Sequence, residues 1–99
     1  MFVTVARLGE IAPGTGRQVT VGERWVGLFN LNGEYHAIDN VCLHRGGPLC
    51  EGPISGTVVT CPWHGWQYDV RTGENEFDRA IKLDTYAVKV ENGDILVAL

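Results

Sequence analysis

The stretch NVCLHRGGPLC at residues 40–50, followed by TCPWHGWQYD at residues 60–69, differs from the rest of this 99-residue chain. Residues 40–73 carry six of the thirteen glycines, three of the four prolines and all three cysteines. Loops of this composition place the backbone in conformations that other side chains disfavour, typically where a chain wraps closely around a ligand. We therefore interpret the middle third as a binding site and the flanking segments as its scaffold.

The flanking segments predict an all-β fold. Short runs of β-branched and aromatic residues alternate with Gly, Asn and Asp, and no window shows apolar residues at helical spacing. Asn32-Gly33 and Asn92-Gly93 each separate two such runs and suit type I′ hairpin turns, which need positive φ at both central residues. The predicted strands are Phe2–Leu8, Gln18–Val21, Arg24–Asn30, Glu34–Asp39, Thr57–Cys61, Gln67–Val70, Ala80–Leu83, Thr85–Glu91 and Asp94–Leu99. At this length they form one domain, residues 1–99, with the architecture of a small sandwich or barrel.

Composition excludes several classes of protein. An apolar fraction of 44% with 20% charged residues is that of a folded globular chain. A net charge of −4 argues against binding to nucleic acid and mildly favours a basic protein partner. The longest uncharged stretch, residues 52–68, contains Pro53, Pro62 and His64 and cannot be a membrane helix. Met1–Thr4 lacks the features of a signal peptide, so we expect a cytoplasmic protein without a membrane partner.

The cysteines point to metal or redox chemistry. Three cysteines are too few, and odd in number, for a secreted disulfide scaffold. Two short motifs, Cys42-Leu43-His44 and Cys61-Pro62-Trp63-His64, each supply one sulfur and one nitrogen. Such a set binds either a tetrahedral zinc ion or the two irons of a 2Fe-2S cluster, and the ligand types alone do not separate these alternatives. Cys50 has no partner in this scheme and is expected to be a buried or half-buried reduced thiol.

The spacing C-x-H followed by C-x-x-H, together with the segments RGGPL at 45–49 and GWQYD at 65–69, resembles the Rieske family. The resemblance implies an antiparallel fold of three sheets, with a loop-rich cluster-binding subdomain at about residues 40–73. It also implies one Rieske-type [2Fe-2S] cluster per chain, in which imidazoles replace two thiolates and raise the reduction potential. The ligands that it assigns are Cys42 and Cys61 on one iron, and His44 and His64 on the other.

Two features next to the ligands separate this chain from Rieske proteins with membrane-bound respiratory partners. The resemblance places a disulfide of those members at Gly47 and Trp63, where it cannot form. Those members also direct a serine hydroxyl to a bridging sulfide, here replaced by Trp66, and a tyrosine hydroxyl to a cysteine sulfur, here kept as Tyr68. Because one of the two hydrogen bonds is missing, we expect a potential in the lower part of the range of about −150 to +300 mV.

We expect the apolar residues around the ligands to have two roles. They shield the cluster from water and, beside Arg45, they offer a contact surface for a transient partner. Gly65 is expected to let a neighbouring amide approach a sulfur. The apolar set is Leu43, Pro48, Leu49, Trp63 and Trp66.

The resemblance implies a one-electron carrier that is not itself an enzyme. In this role the chain takes electrons from a flavin-dependent reductase and delivers them to a terminal oxygenase or another redox enzyme. One alternative is a small Rieske subunit of a larger reductase, like that of nitrite reductase. Another is a zinc-stapled interaction module without redox function.

Replacing His64 by Ala tests the ligand assignment. Because a histidine ligand of one iron is lost, we expect a protein without its cluster or with a labile one, which visible absorption of the purified protein measures. A visible spectrum identical to that of the wild type would contradict the assignment.

Overall fold

The computed structural model describes residues 1–44, 46–63 and 65–98. These residues form three antiparallel sheets, in the spatial orders β1-β10-β9, β2-β3-β4-β8 and β5-β6-β7. A short 3₁₀ helix spans Leu49–Glu51. The strands are β1 Phe2–Arg7, β2 Thr15–Val21, β3 Arg24–Leu31, β4 Glu34–Asp39, β5 Ile54–Ser55, β6 Val58–Thr60, β7 Gln67–Asp69, β8 Thr85–Tyr86, β9 Val88–Glu91 and β10 Asp94–Ala98. The all-β, three-sheet prediction is confirmed.

Both predicted hairpin turns are present. Asn32 and Gly33 have φ of 57° and 98°, and Asn92 and Gly93 have φ of 53° and 82°. These positive values are the type I′ geometry that joins β3 to β4 and β9 to β10.

Three strand predictions need correction, and one short strand was missed. Residues 80–83 form a turn with one isolated bridge from Lys82 to Glu74, because the Asp78 carbonyl accepts the Ile81 N–H (2.9 Å). The single run predicted over 85–91 is two strands in different sheets, since β8 pairs with β4 and β9 pairs with β10. Strand β2 begins three residues earlier than predicted because Thr15 pairs with Asn30 at the end of β3. The two-residue β5 was too short to predict, and Leu99 lies outside the described residues.

Strand β3 lies between two apolar cores. Its residues Val26 and Leu28 face a core shared with β1, β2 and β10, whereas Phe29 faces a second core shared with the third sheet. The second core contains Cys42 and Cys61 together with Leu49, Val59 and Tyr68. The two candidate cysteine ligands are therefore built into a packed interior.

The described part of the chain contains no helix long and apolar enough to cross a membrane.

Gly52 tests the packing of the 3₁₀ helix against β6. A Cβ at Gly52 would lie 1.8 Å from the Thr60 carbonyl oxygen, at an ordinary φ of −84°. Because a backbone atom cannot rotate away, we expect Gly52→Ala to lower the free energy of unfolding by at least about 3 kcal/mol in chemical denaturation.

Gly56→Ala is the matched control. Gly56 has a φ of +62° and open space around its Cα. Its alanine variant therefore carries backbone strain of about 1–2 kcal/mol without a clash. A loss for Gly52→Ala no larger than this would contradict the packing argument.

Candidate metal centre

The two cysteines lie at equivalent places in two loops of the same construction. Cys42 follows β4, and its N–H donates to the Gly47 carbonyl (3.0 Å). Cys61 follows β6, and its N–H donates to the Trp66 carbonyl (2.7 Å). A glycine in the left-handed region lies four residues after each cysteine, at Gly46 (φ 73°) and Gly65 (φ 76°). Each loop thus turns back on its own cysteine and presents the side chains between the hydrogen-bonded ends.

Asn40 closes the first loop. Its carbonyl accepts the Leu49 N–H (3.1 Å) and its side-chain Oδ1 accepts the Cys50 N–H (2.8 Å), so both ends of the loop meet at one residue. Its Nδ2 donates to Gln18 Oε1 (2.7 Å), which ties the loop to β2. This anchor was not predicted. Its signal in the sequence was an asparagine placed directly between the strand that ends at Asp39 and the first ligand motif.

Cys42 and Cys61 are both buried, with 1% of each residue exposed. Burial raises the pKa of the Cys61 thiol, and the neighbouring Cys42 raises it further. The Trp63 N–H acts in the opposite direction, because it donates to Cys61 Sγ (3.4 Å). The two thiols are therefore close enough to oppose each other's ionisation.

The raised pKa of Cys61 beside a second buried thiol tests whether a metal centre fits at this place. Metal ligands are thiolates, and two adjacent buried thiolates are unstable without positive charge beside them. An iron ion supplies that charge, and the Trp63 N–H is already directed at one sulfur. In residues 1–44, 46–63 and 65–98 no three His, Cys, Asp or Glu side chains converge on one point. A two-iron cluster with two protein ligands on each iron does not need such convergence.

Tyr68 lies next to Cys42 in the second core. Its side chain is fully buried, and its hydroxyl oxygen is 3.5 Å from Cys42 Sγ. The same oxygen accepts the Leu43 N–H (3.2 Å). Burial raises the pKa of the phenol far above its usual range, and Cys42 raises it further, so the hydroxyl keeps its proton. The structure thus places Tyr68 where the sequence analysis expected a hydroxyl beside a cysteine sulfur.

The histidine side of the site is accessible. His44 is exposed, and its ring stacks on Trp66 with the centroids 4.4 Å apart and the planes 5° from parallel. The Phe77 ring lies nearly perpendicular to the same indole, with the ring centroids 6.4 Å apart. Trp66, which occupies the position of the missing serine, therefore packs against an imidazole. His64 and Arg45 lie outside the described residues, and the ligand role of His64 stays a prediction.

The two loops face each other at Gly47 and Trp63. A Cβ at Gly47 would lie 3.2 Å from Trp63 Cβ and 2.6 Å from Cys61 Sγ. Both distances are shorter than an ordinary van der Waals contact, so little space separates the two loops at this point. Here the indole packs on the bare glycine backbone, so contact between the loops is non-covalent.

The predicted apolar surface is partly wrong. Leu43 and Trp63 are exposed and Pro48 and Trp66 are half-buried, but Leu49 is fully buried. The cause is the 3₁₀ helix, which turns Leu49 into the second core as its first residue.

Trp25 and Val41, which the sequence analysis did not select, extend this surface. Trp25 is 60% exposed, and both residues line an open groove of ≈ 480 Å³ that continues to Leu43. Glu23 and Arg24 also line the groove. The Arg24 guanidinium forms ion pairs with Asp39 and Asp84. The apolar sequence of β3 does not distinguish an exposed tryptophan at its start from a buried one.

Comparison with known proteins gives the family. The model of the Rieske [2Fe-2S] domain matches residues 1–87. The chain is 36% identical to mouse apoptosis-inducing factor 3 over 95% of its own length, but it spans only 16% of that relative. It is 30% identical to the ferredoxin component of the naphthalene 1,2-dioxygenase system of Pseudomonas putida, over 99% of this chain and 95% of the other.

Solved structures agree with these sequence relatives. The ferredoxin of carbazole 1,9a-dioxygenase from Nocardioides aromaticivorans superposes with a TM-score of 0.92 at 30% identity, over 99% of this chain and 97% of that one. A chain from a complex of reduced oxygenase and oxidised ferredoxin of carbazole 1,9a-dioxygenase superposes at 0.89 with 29% identity, over 98% and 92%. Two loops that each hold a buried cysteine, on three antiparallel sheets, are thus accompanied by similarity to Rieske proteins in both sequence and backbone. The chain belongs to the Rieske [2Fe-2S] domain family, and its cofactor is a Rieske-type 2Fe-2S cluster.

Proposed function

We propose that this protein is a one-electron carrier that takes electrons from a flavin-dependent reductase and delivers them to a terminal oxygenase or another redox enzyme. The observation that carries the proposal is the asymmetry of the site, in which the cysteines are buried and His44 is exposed. The similarity to ferredoxin components of dioxygenase systems supports the same role. When bound, the cluster supplies reversible one-electron chemistry.

The chain's own residues divide the work of holding that cluster. Cys42 and Cys61, which are buried, would bind one iron, and His44 and His64 would bind the other. The Trp63 N–H and the Tyr68 hydroxyl lie at the sulfurs, where hydrogen-bond donors stabilise negative charge. Trp66 restrains the ring of His44 by stacking on it.

The exposed surface around His44 fits a transient partner. Leu43 and Trp63 flank the histidine side, and the groove at Trp25 and Val41 enlarges the apolar area. Small apolar patches are usual in electron-transfer complexes, which must dissociate after each transfer. The acidic side chains of the groove outnumber its arginine, and this favours a partner with basic residues at its rim.

The alternatives separate by different observations. The family match gives the cluster and removes the zinc-stapled module. A small Rieske subunit of a larger reductase has the same site, and it differs by remaining in a stable complex, which gel filtration of the native protein detects. We propose a cytoplasmic location, because three cysteines, two of which the cluster would bind, are too few and odd in number for a secreted disulfide scaffold.

Iron analysis and voltammetry test the proposed function directly. We expect two irons per chain, a rhombic EPR signal after dithionite reduction, and a potential below about +100 mV, since Trp66 replaces the serine donor of the high-potential members. A colourless zinc protein would contradict the carrier role. A potential well above that value would contradict the assignment to the lower part of the range.

Gly47→Ala tests the arrangement of the two loops. The new methyl group would lie 2.6 Å from Cys61 Sγ, so the sulfur must move away from its place in the site. We expect a folded protein, by far-ultraviolet circular dichroism, with less iron and less visible absorption per chain. Gly33→Ala in the β3–β4 turn is the control, since its methyl group meets nothing within 4 Å. Equal iron content in the two variants would show that the Gly47 contact does not matter.

A further inference from the structure

Phe77 is the most exposed aromatic side chain of the described residues. Its exposed fraction is 77%, against 60% for Trp25 and 51% for Trp63. Its ring lies nearly perpendicular to the indole of Trp66, which in turn stacks on His44. A single apolar side chain at a surface is common, but this one is only two ring contacts from a proposed ligand of the cluster. The apolar surface beside the histidine thus continues to Phe77.

The turn that carries Phe77 is closed by hydrogen bonds. The Asn75 N–H donates to the Ile81 carbonyl (2.9 Å), which joins the two ends of the turn. Asn75 Oδ1 accepts the N–H groups of Phe77 (2.9 Å) and Asp78 (3.1 Å). Asp78 Oδ1 accepts the Ala80 N–H (3.0 Å). Because this backbone is already ordered, the turn can present the phenyl group to a partner with little loss of conformational entropy.

A cavity of ≈ 260 Å³ lies beside the phenyl ring. Trp66 and Phe77 supply its aromatic lining, and Gln67 and Glu76 supply its polar side chains. Trp66 is half-buried and the other three residues are exposed, so the cavity is accessible from the surface. An aromatic-lined recess of this kind accepts an apolar side chain of another protein.

The charges beside Phe77 indicate the chemistry of that protein. Glu76 and Asp78 are exposed, and neither carboxylate forms an ion pair within the described part of the chain. Arg79 is the basic residue of the segment 76–79, which therefore carries two negative charges and one positive charge. A lysine or arginine next to the partner's apolar side chain complements this balance and speeds the encounter.

We propose that Phe77 is the principal contact residue for a redox partner, which seats an apolar side chain in the cavity between Phe77 and Trp66. A lysine or arginine of the partner lies next to Glu76 and Asp78. The inference rests on the proposed carrier function and names the surface through which it works. A partner bound there contacts Trp66 and so lies next to the proposed ligand His44.

Stopped-flow reduction of cytochrome c by the reduced, desalted holoprotein tests the proposal. This probe is a basic redox protein with lysines and apolar side chains around an exposed haem edge, which is the chemistry that the proposal requires. We expect Phe77→Ala to lower the second-order rate constant about tenfold at low ionic strength, the scale of a principal contact. The double variant Glu76→Gln, Asp78→Asn should weaken the dependence of the rate on salt.

Phe2→Ala is the matched control, since Phe2 is an exposed phenylalanine of β1, in another sheet. We expect this variant to reduce cytochrome c as fast as the wild type does. Reduction of ferricyanide and the reduction potential should be unchanged in Phe77→Ala, because neither depends on docking between proteins.

An unchanged rate for Phe77→Ala, or an equal loss of rate with ferricyanide, would overturn the role of Phe77 and leave the carrier proposal untouched. A dimer of the wild type that Phe77→Ala dissociates in sedimentation velocity would also overturn it, because the surface would then belong to a second copy of the chain. A wild type without iron would instead contradict the carrier proposal.

Discussion

The central constraint on this molecule is the placement of two thiols side by side in an apolar interior. Cys42 and Cys61 lie in the core that Phe29, Leu49 and Tyr68 also fill. Burial and the neighbouring Cys42 both oppose ionisation of Cys61, so a pair of thiolates at this place needs positive charge beside it, which iron supplies. The two loops must therefore hold their shape by backbone hydrogen bonds and by packing.

The same constraint explains the division between the two sides of the site. The cysteines are anchored in the core through the ends of β4 and β6, whereas the residues after them leave the core and carry His44 to the surface. Stacking on Trp66 gives this exposed imidazole a defined orientation. An electron can then reach a partner without any partner group entering the interior.

Local chemistry explains which predictions were correct. Asn32-Gly33 and Asn92-Gly93 carry their turn geometry in their own φ preferences, so the two hairpins follow from a few adjacent residues. The segment 80–83 has the composition of a strand, but after the turn at Asp78 it pairs with the short segment 73–75 through a single bridge, from Lys82 to Glu74. Leu49 was expected at the surface but is buried, because it is the first residue of the 3₁₀ helix and packs into the second core.

By itself, the sequence determined the kind of chemistry and the class of fold, since ligand type, ligand spacing and hairpin turns are encoded by residues close together in the chain. Only the tertiary structure decided which side chains meet across the loops. Asn40, whose side chain donates to Gln18 in β2, and the groove at Trp25 both depend on contacts between segments far apart in sequence. Such contacts are set by how the three sheets pack, and no short stretch of residues contains that information.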